Sequence, residues 1–218
     1  DVSKVTGMIR TFRSASLFNR DISKWDVSKV TTMQAILFSA SSFNGDIAKW
    51  DVSRVANMID MFSSASSFNG DLSEWDVSRV TDTNHMFYFA SSFNSEMPNW
   101  DVARVISMNG MFFEATSFNA DISAWDVSRV HDMAFMFQSA TSFNIDISKW
   151  DISSAQNMDG MFSSATSFNQ KLCGSEWVNS KASKKNMFVG SSGSILRIAC
   201  AATTALVSTA ELKDAVDT

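Results

Sequence analysis

The chain has 218 residues, a net charge of −5, and 18 Phe, 7 Trp and 13 Met beside one Tyr, one Pro and two Cys. That aromatic content excludes a disordered tail, which lacks the apolar surface to offset chain entropy. The two Cys exclude a disulfide-framework miniprotein and a Cys-based zinc site, and the acidic balance lacks the basic footprint of a nucleic-acid binder. Two histidines, His85 and His131, leave little material for a catalytic triad.

Asp1 enters in the middle of a repeating unit, with no initiator Met and no signal sequence, so the chain reads as a processed or partial product. Its first unit is expected to present an open end unless more residues or a partner cover it. From Asp1 to about Phe168 the chain repeats every 25 residues, marked by Trp25, Trp50, Trp75, Trp100, Trp125 and Trp150. Other apolar columns keep the same register. Val27, Val52 and Val77 follow the Trp by two, and Val30, Val55 and Val80 come three later. Met33, Met58 and Met108 are next, then Leu37, Phe62 and Phe87, the small Ala40, Ala65 and Ala90, and the aromatic Phe43, Phe68 and Phe93. A fixed period with no linker means that neighbouring units share one continuous core, because a unit this short cannot bury its own apolar face.

Within a unit the spacing changes. Val55, Met58, Met61, Phe62, Ala65 and Phe68 follow the series of one helical face, so a short helix is predicted there, with Ser53 as N-cap and Asn69-Gly70 as its stop. Ile47, Trp50 and Val52 end in an alternating pattern and predict a short strand. One strand and one helix per unit is the leucine-rich-repeat plan. The predicted fold class is therefore an α/β repeat solenoid, with a short parallel strand and a short helix in each of seven units over residues 1–170. A degenerate capping unit follows at 171–193 and a tail at 194–218.

The stretch FNGDIAKWDVSRVANMIDMFSSASSFNGDLSEWDVSRV resembles the BspA-like leucine-rich-repeat surface proteins, in the mycoplasma-lipoprotein type of repeat that is a domain of unknown function. The resemblance spans the repeats and implies a right-handed solenoid, an extracellular or cell-surface location, and adhesion or protein binding. An organelle lumen is the alternative location. The family carries no catalytic residues onto this chain. Its closing unit often carries a Cys pair, which implies a Cys173–Cys200 disulfide here.

The polar columns have two readings each. Asn19 through Asn169 form either a binding ridge or a ladder that satisfies backbone at the turns, and the ladder is favoured because buried turn backbone needs partners. Asp26, Asp51, Asp76, Asp101 and Asp126 each precede a cation by three: Lys29, Arg54, Arg79, Arg104 and Arg129. A ladder of salt bridges is the expected arrangement, and an electrostatic docking face through Arg54, Arg79, Arg104 and Arg129 is the alternative. Calcium is disfavoured, because each unit offers single carboxylates with cations interleaved. The Trp column reads as core, with an exposed sugar-binding track as the alternative.

Individuality lies between the columns. Phe38, Tyr88, Phe89, Phe113 and Phe135 put large apolar groups where other units carry Ser, Asp or Gly. Clustered, they would make an apolar patch larger than a monomer ordinarily exposes, and they are the candidate contact surface, with local packing under a loop as the alternative. The single Pro, Pro98, falls in the most divergent unit, where a missing N–H suits an edge or a bulge.

At the C-terminus, Ser208-Thr-Ala-Glu211 is a capping box that predicts a short helix, and the apolar stretch 195–207 is too short to span a bilayer. The function expected is a non-enzymatic protein-interaction scaffold without cofactor, metal or nucleic acid, acting in adhesion or surface binding through a protein partner or cell-surface component. The alternatives are an accessory structural subunit of a larger complex and a carbohydrate-binding module.

Overall fold

The computed structural model describes residues 1–196. The tail helix expected at 208 and the apolar stretch from 197 lie outside the described residues. Units are numbered from 1 (residues 1–25) to 7 (from 151).

Each unit is joined to the next by one parallel bridge, in the unbroken series Gly7, Thr32, Asn57, Asp82, Ser107, Asp132, Asn157 and Ser183. Backbone bonds then continue the junction. Met33, Ala35, Leu37 and Ser39 donate their N–H groups to the carbonyls of Asn57, Ile59, Met61 and Ser63 in the following unit. The intervening Ile36, Phe38 and Ala40 donate instead to Met33, Ala35 and Leu37 within their own unit. Alternate amides thus serve the neighbour and the local turn, so the backbone of this segment is satisfied without a helix.

The helix predicted between Val55 and Phe68 does not form, and the same holds in each of units 1–7, where the segment is a run of turns. The physical reason is a pair of left-handed residues per unit, such as Ala35 (φ 53°) and Ser39 (φ 55°), or His85 (φ 55°) and Phe89 (φ 56°). Left-handed L-residues cost roughly 1–2 kcal/mol each and cannot continue a right-handed helix. The inter-unit bonds that they make possible are the compensation. The strand predicted at Ile47–Val52 is also replaced by turns: Trp50 N–H donates to Ile47 and Val55 N–H to Val52. Each apolar pair three residues apart opens and closes one turn and points inward.

The core is therefore made of columns. Phe62, Phe87, Phe112, Phe137 and Phe162 stack at 5.4–5.7 Å between ring centres. A second Phe column, Phe43 through Phe168, runs beside it at 5.8–6.1 Å. Within a unit the two columns touch, as in Phe87–Phe93 at 3.8 Å. The Trp column from Trp50 is buried as well, and Trp50, Trp75, Trp100 and Trp150 each donate the indole N–H to a carbonyl 28 residues upstream. Trp25 alone of the column is half-exposed, so an exposed Trp track does not exist among the described residues.

Two polar columns finish each unit. The Asn column is a ladder, in which Asn94 N–H donates to Asn69 Oδ1 at 2.8 Å and Asn119 N–H to Asn94 Oδ1 at 2.7 Å. The Asp columns cap their own turns: Asp51 Oδ1 accepts from the N–H of Ser53 at 3.1 Å and from its hydroxyl at 2.6 Å. The salt-bridge ladder expected between Asp and Arg does not form, since among the described residues the one ion pair within 4 Å is His85–Asp60. Asp carboxylates bond to the turn amide two residues on, and the guanidinium groups remain exposed. Pro98 stands where these turns place the amide that Asp caps; with no N–H to cap, the Asp is replaced by Glu96, which accepts from Asp121 N–H in the next unit. The turn is the site, rather than a sheet edge. The neighbouring Trp125 indole N–H is the one buried side-chain polar atom without a partner among the described residues.

The closing segment departs from the repeat. Strand β1 (Lys171–Leu172) pairs in parallel with β2 (Ser194–Ile195), with α1 (Ser175–Asn179) between them. Ser194 and Ile195, expected to open a separate tail, are thus tied to the closing segment. Inserted Trp177 is buried, its N–H donated to Ser148 carbonyl. The unit is one residue longer, and the register absorbs it: Phe162 N–H donates to Met187 rather than to position 186. Cys173 is disulfide-bonded; the implied partner, Cys200, lies outside the described residues.

Candidate functional site

Repeated columns carry the core, so the residues free to differ are those facing outward from the turn run. In unit order the first left-handed position reads Arg10, Ala35, Asp60, His85, Gly110, Phe135 and Gly160. Three residues on come Arg13, Phe38, Ser63, Tyr88, Phe113, Gln138 and Ser163. These two columns stand side by side on one surface, and units 4–6 fill them with rings.

The structure brings Tyr88, Phe89 and Phe113 together. Tyr88 stacks on Phe113 at 4.5 Å and meets Phe89 edge-on at 4.7 Å, while His85 stands edge-on to Tyr88 at 5.2 Å. Phe89 and Phe135 are 39% and 42% exposed, whereas the core-column rings of units 3–7 are buried. Phe135 joins the group across a depression of about 400 Å³ lined by His85, Tyr88, Asn109, Gly110, Phe113, Phe135 and Gln138. Phe38 is separate and lies under the Arg13 guanidinium, 4.8 Å from its ring centre.

Gly110 makes the depression. A Cβ there would lie 2.6 Å from His85 Cδ2, so the imidazole rests against bare backbone. Phe135 rests in the same way against Gly160, where a Cβ would meet its ring at 2.7 Å. Side chains of this column thus lean onto the next unit, and the absent side chain of Gly110 leaves a gap between the His85 and Phe135 rings. Sequence reasoning found the phenylalanines and Tyr88 but missed His85, Gly110, Asn109, Gln138 and Glu114. The available signal was Gly110 itself, a bare position in a column otherwise filled from Arg10 to Phe135.

The electrostatics of this surface are one-sided. Over 57–67, 82–92, 107–117, 132–142 and 157–167 the turn runs carry Asp60, Asp82, Glu114, Asp132 and Asp159, and no Lys or Arg. Burial pushes the Asp60 carboxyl above its ordinary value, against the pull of His85, Arg13 and Arg10. Burial likewise raises Asp82, although the Asn84 amide that it accepts opposes this. Burial and then the Glu114 carboxylate push the Tyr88 phenol up, which places a negative charge beside that ring. Asn109 donates its amide to Asp132 Oδ2 at 3.1 Å, linking the floor of the depression to a further carboxylate.

The Arg column is elsewhere. Arg54, Arg79 and Arg104 line a shallow groove of about 540 Å³ with Thr31, Ala56, Ser78 and Asp101, and Arg129 is not among its lining residues. This groove shares no residue with the aromatic depression, so the two parts of the candidate contact surface are distinct places. Among the described residues no group of three or more His, Cys, Asp or Glu could hold a metal ion, and no helix is long and apolar enough to cross a membrane.

Fold and surface together define a protein built of parallel-bridged 25-residue units with an aromatic face on units 4–6. The chain belongs to the family described as Mycoplasma protein of unknown function, DUF285, whose model matches residues 1–100 and again 90–195. No curated protein and no solved structure matches it.

Proposed function

We propose that this chain is a non-enzymatic protein-interaction scaffold: a right-handed solenoid of the leucine-rich-repeat-like kind that presents the turn face of units 4–6 to a protein partner, in surface adhesion or binding. The observation that carries the proposal is the cluster of Tyr88, Phe89, Phe113 and Phe135 at a solvent-facing surface, in columns that most other units fill with small, polar or charged residues. Exposed aromatic groups without a core role lower solubility, and contiguous ones mark contact sites. A rigid backbone supports them, because each unit is bonded to both neighbours and little ordering is left to lose on binding.

An accessory subunit of a larger assembly is the second reading, favoured by Leu17, which is 90% exposed at a position where every later unit carries Ser. A sugar-binding role through tryptophan has no exposed Trp column to use.

A photo-crosslinking residue placed at Phe89, compared with one at Ala124 on a different turn of the unit, separates these readings. Crosslinks to one partner species from position 89, abolished by Tyr88→Ser and absent from position 124, are expected. Equal crosslinking from both positions, or none from 89, would count against the aromatic face.

A further inference from the structure

We propose that the gap over Gly110 is a receptor for an arginine side chain projecting from a basic segment of a protein partner. This rests on the interaction reading above and names the chemistry of what the face takes.

The gap has the shape for a flat group. His85 and Phe135 rings bound it at either end, the stacked Tyr88–Phe113 pair forms one wall, and bare backbone at Gly110 forms the floor. The Asn109 and Gln138 amides join the His85 imidazole and the Tyr88 hydroxyl as the polar groups of its lining residues. A planar guanidinium stacks on aromatic faces while its edge donates hydrogen bonds, a combination that a lysine ammonium lacks.

Charge selects the sign. Asp60 reaches the rim of the gap through His85 and Asp132 reaches it through the Asn109 amide, and the turn runs of units 3–7 hold no Lys or Arg, although Arg10 and Arg13 of unit 1 act on Asp60. Among the described residues His85–Asp60 at 3.7 Å is the one ion pair, and no Lys or Arg pairs with Asp82 or Asp132. Glu114 stands close enough to Tyr88 to act on its phenol but lines the neighbouring depression with Phe89, so a cation in the gap meets aromatic faces and feels that carboxylate's field from next door.

The chain contains the same contact in intramolecular form. Arg13 of unit 1 places its guanidinium 4.8 Å from the Phe38 ring centre in unit 2. Phe38 occupies the column that Tyr88 and Phe113 occupy in units 4 and 5, so this turn face already receives a guanidinium where the chain supplies one. In units 4 and 5 the ring column is present and the arginine is absent.

The test uses the full chain and short fluorescein-labelled glycine-serine peptides bearing arginine, lysine or glutamate, read by fluorescence anisotropy. The arginine peptide is expected to bind about tenfold more tightly than the lysine peptide, the size of a partly desolvated stacking contact. Tyr88→Ser with Phe135→Gly is expected to erase that preference. Both replacements are residues that other units carry in these columns, Ser63 and Gly160, so the fold tolerates them. Glu114→Gln, which leaves every ring in place, is expected to weaken the arginine peptide about two- to fivefold. Ala124→Asn, on a different turn and matching Asn99 of unit 4, is expected to change nothing. Equal affinity for arginine and lysine peptides, or arginine binding indifferent to the ring replacements, would overturn the proposal. If the peptides fail while the Phe89 crosslink still forms, the arginine receptor is wrong and the interaction face stands; if they bind and the crosslink is absent, the receptor stands and the scaffold reading falls.

Discussion

Replacing Asn94 with Ala tests whether the Asn column is a structural ladder. Asn94 Oδ1 accepts the backbone N–H of Asn119 at 2.7 Å, and Asn94 N–H donates to Asn69 Oδ1 at 2.8 Å. The substitution removes the first bond and keeps the second, leaving one amide without its acceptor. A fully buried orphan amide costs about 1–3 kcal/mol, but these Asn residues are exposed, so water partly compensates and about 1 kcal/mol is expected. For a chain of this size that lowers Tm by roughly 2–4 °C. Asn94→Asp is expected to restore most of the loss, since the bond uses the oxygen and a carboxylate keeps it. Because long repeat arrays need not unfold in one step, the decisive assay is local. Hydrogen exchange at the Asn119 amide is expected to quicken by roughly five- to tenfold in Asn94→Ala, with the more distant Asn44 amide unchanged. Unchanged protection at Asn119, or an Asp variant as damaged as the Ala variant, would refute the ladder.

The remaining predictions concern core, charge and cysteine. Phe118→Ala, in the centre of a stacked column and fully buried, is expected to cost about 3–5 kcal/mol in urea denaturation, several times the Asn94 effect. Asp126 and Asp82 are expected to respond to pH with opposite signs. The Ser128 hydroxyl and amide hold Asp126 below its ordinary value, so its contribution is complete above the unfolded carboxylate value and is lost as pH falls through the folded one. Asp126→Ala therefore lowers Tm at neutral pH, and the difference closes in acid. Burial raises Asp82, so its ionisation opposes folding, and that opposition disappears as pH falls through the raised folded value. Asp82→Asn, which copies Asn57 and Asn157 and can keep the turn bond, is expected to raise Tm at neutral pH and to match the wild type in acid. Thermal scans across pH check both. Alkylation of the intact chain without reductant is expected to leave its mass unchanged, and a label on Cys173 would contradict the disulfide.

The columns were legible because burial acts on side chains: Trp50, Val52, Val55, Met58 and Phe62 are all inside, as their period requires. The path of the backbone was not. An apolar residue every third position suits both a helix and a chain of closed turns, and what separates them is the left-handed residue in between. Here that residue is Arg10, Ala35, Asp60, His85 or Phe135 more often than Gly, so no glycine pattern announces it. The role of Asp was hidden for a similar reason. An acid three residues from an Arg reads as an ion pair, whereas the amide two residues away is closer and already fixed by the turn. For the candidate site, the large residues at odd positions were visible, but the depression depends on the missing side chain of Gly110 and on the lean of His85 across it, which only the packed units show.

The central claim is a division of labour: repeated columns hold the chain together, and the turn face of units 4–6 does the binding. The most direct measurement replaces that face with residues that other units carry at the same positions, as in Tyr88→Ser, Phe89→Ser, Phe113→Ser, Glu114→Ser and Phe135→Gly. The account predicts a Tm within a few degrees of the wild type, because these side chains lie outside the stacked core, together with loss of arginine-peptide binding and of the Phe89-face crosslink, read from a probe at position 91. A collapse in stability with binding retained would contradict it.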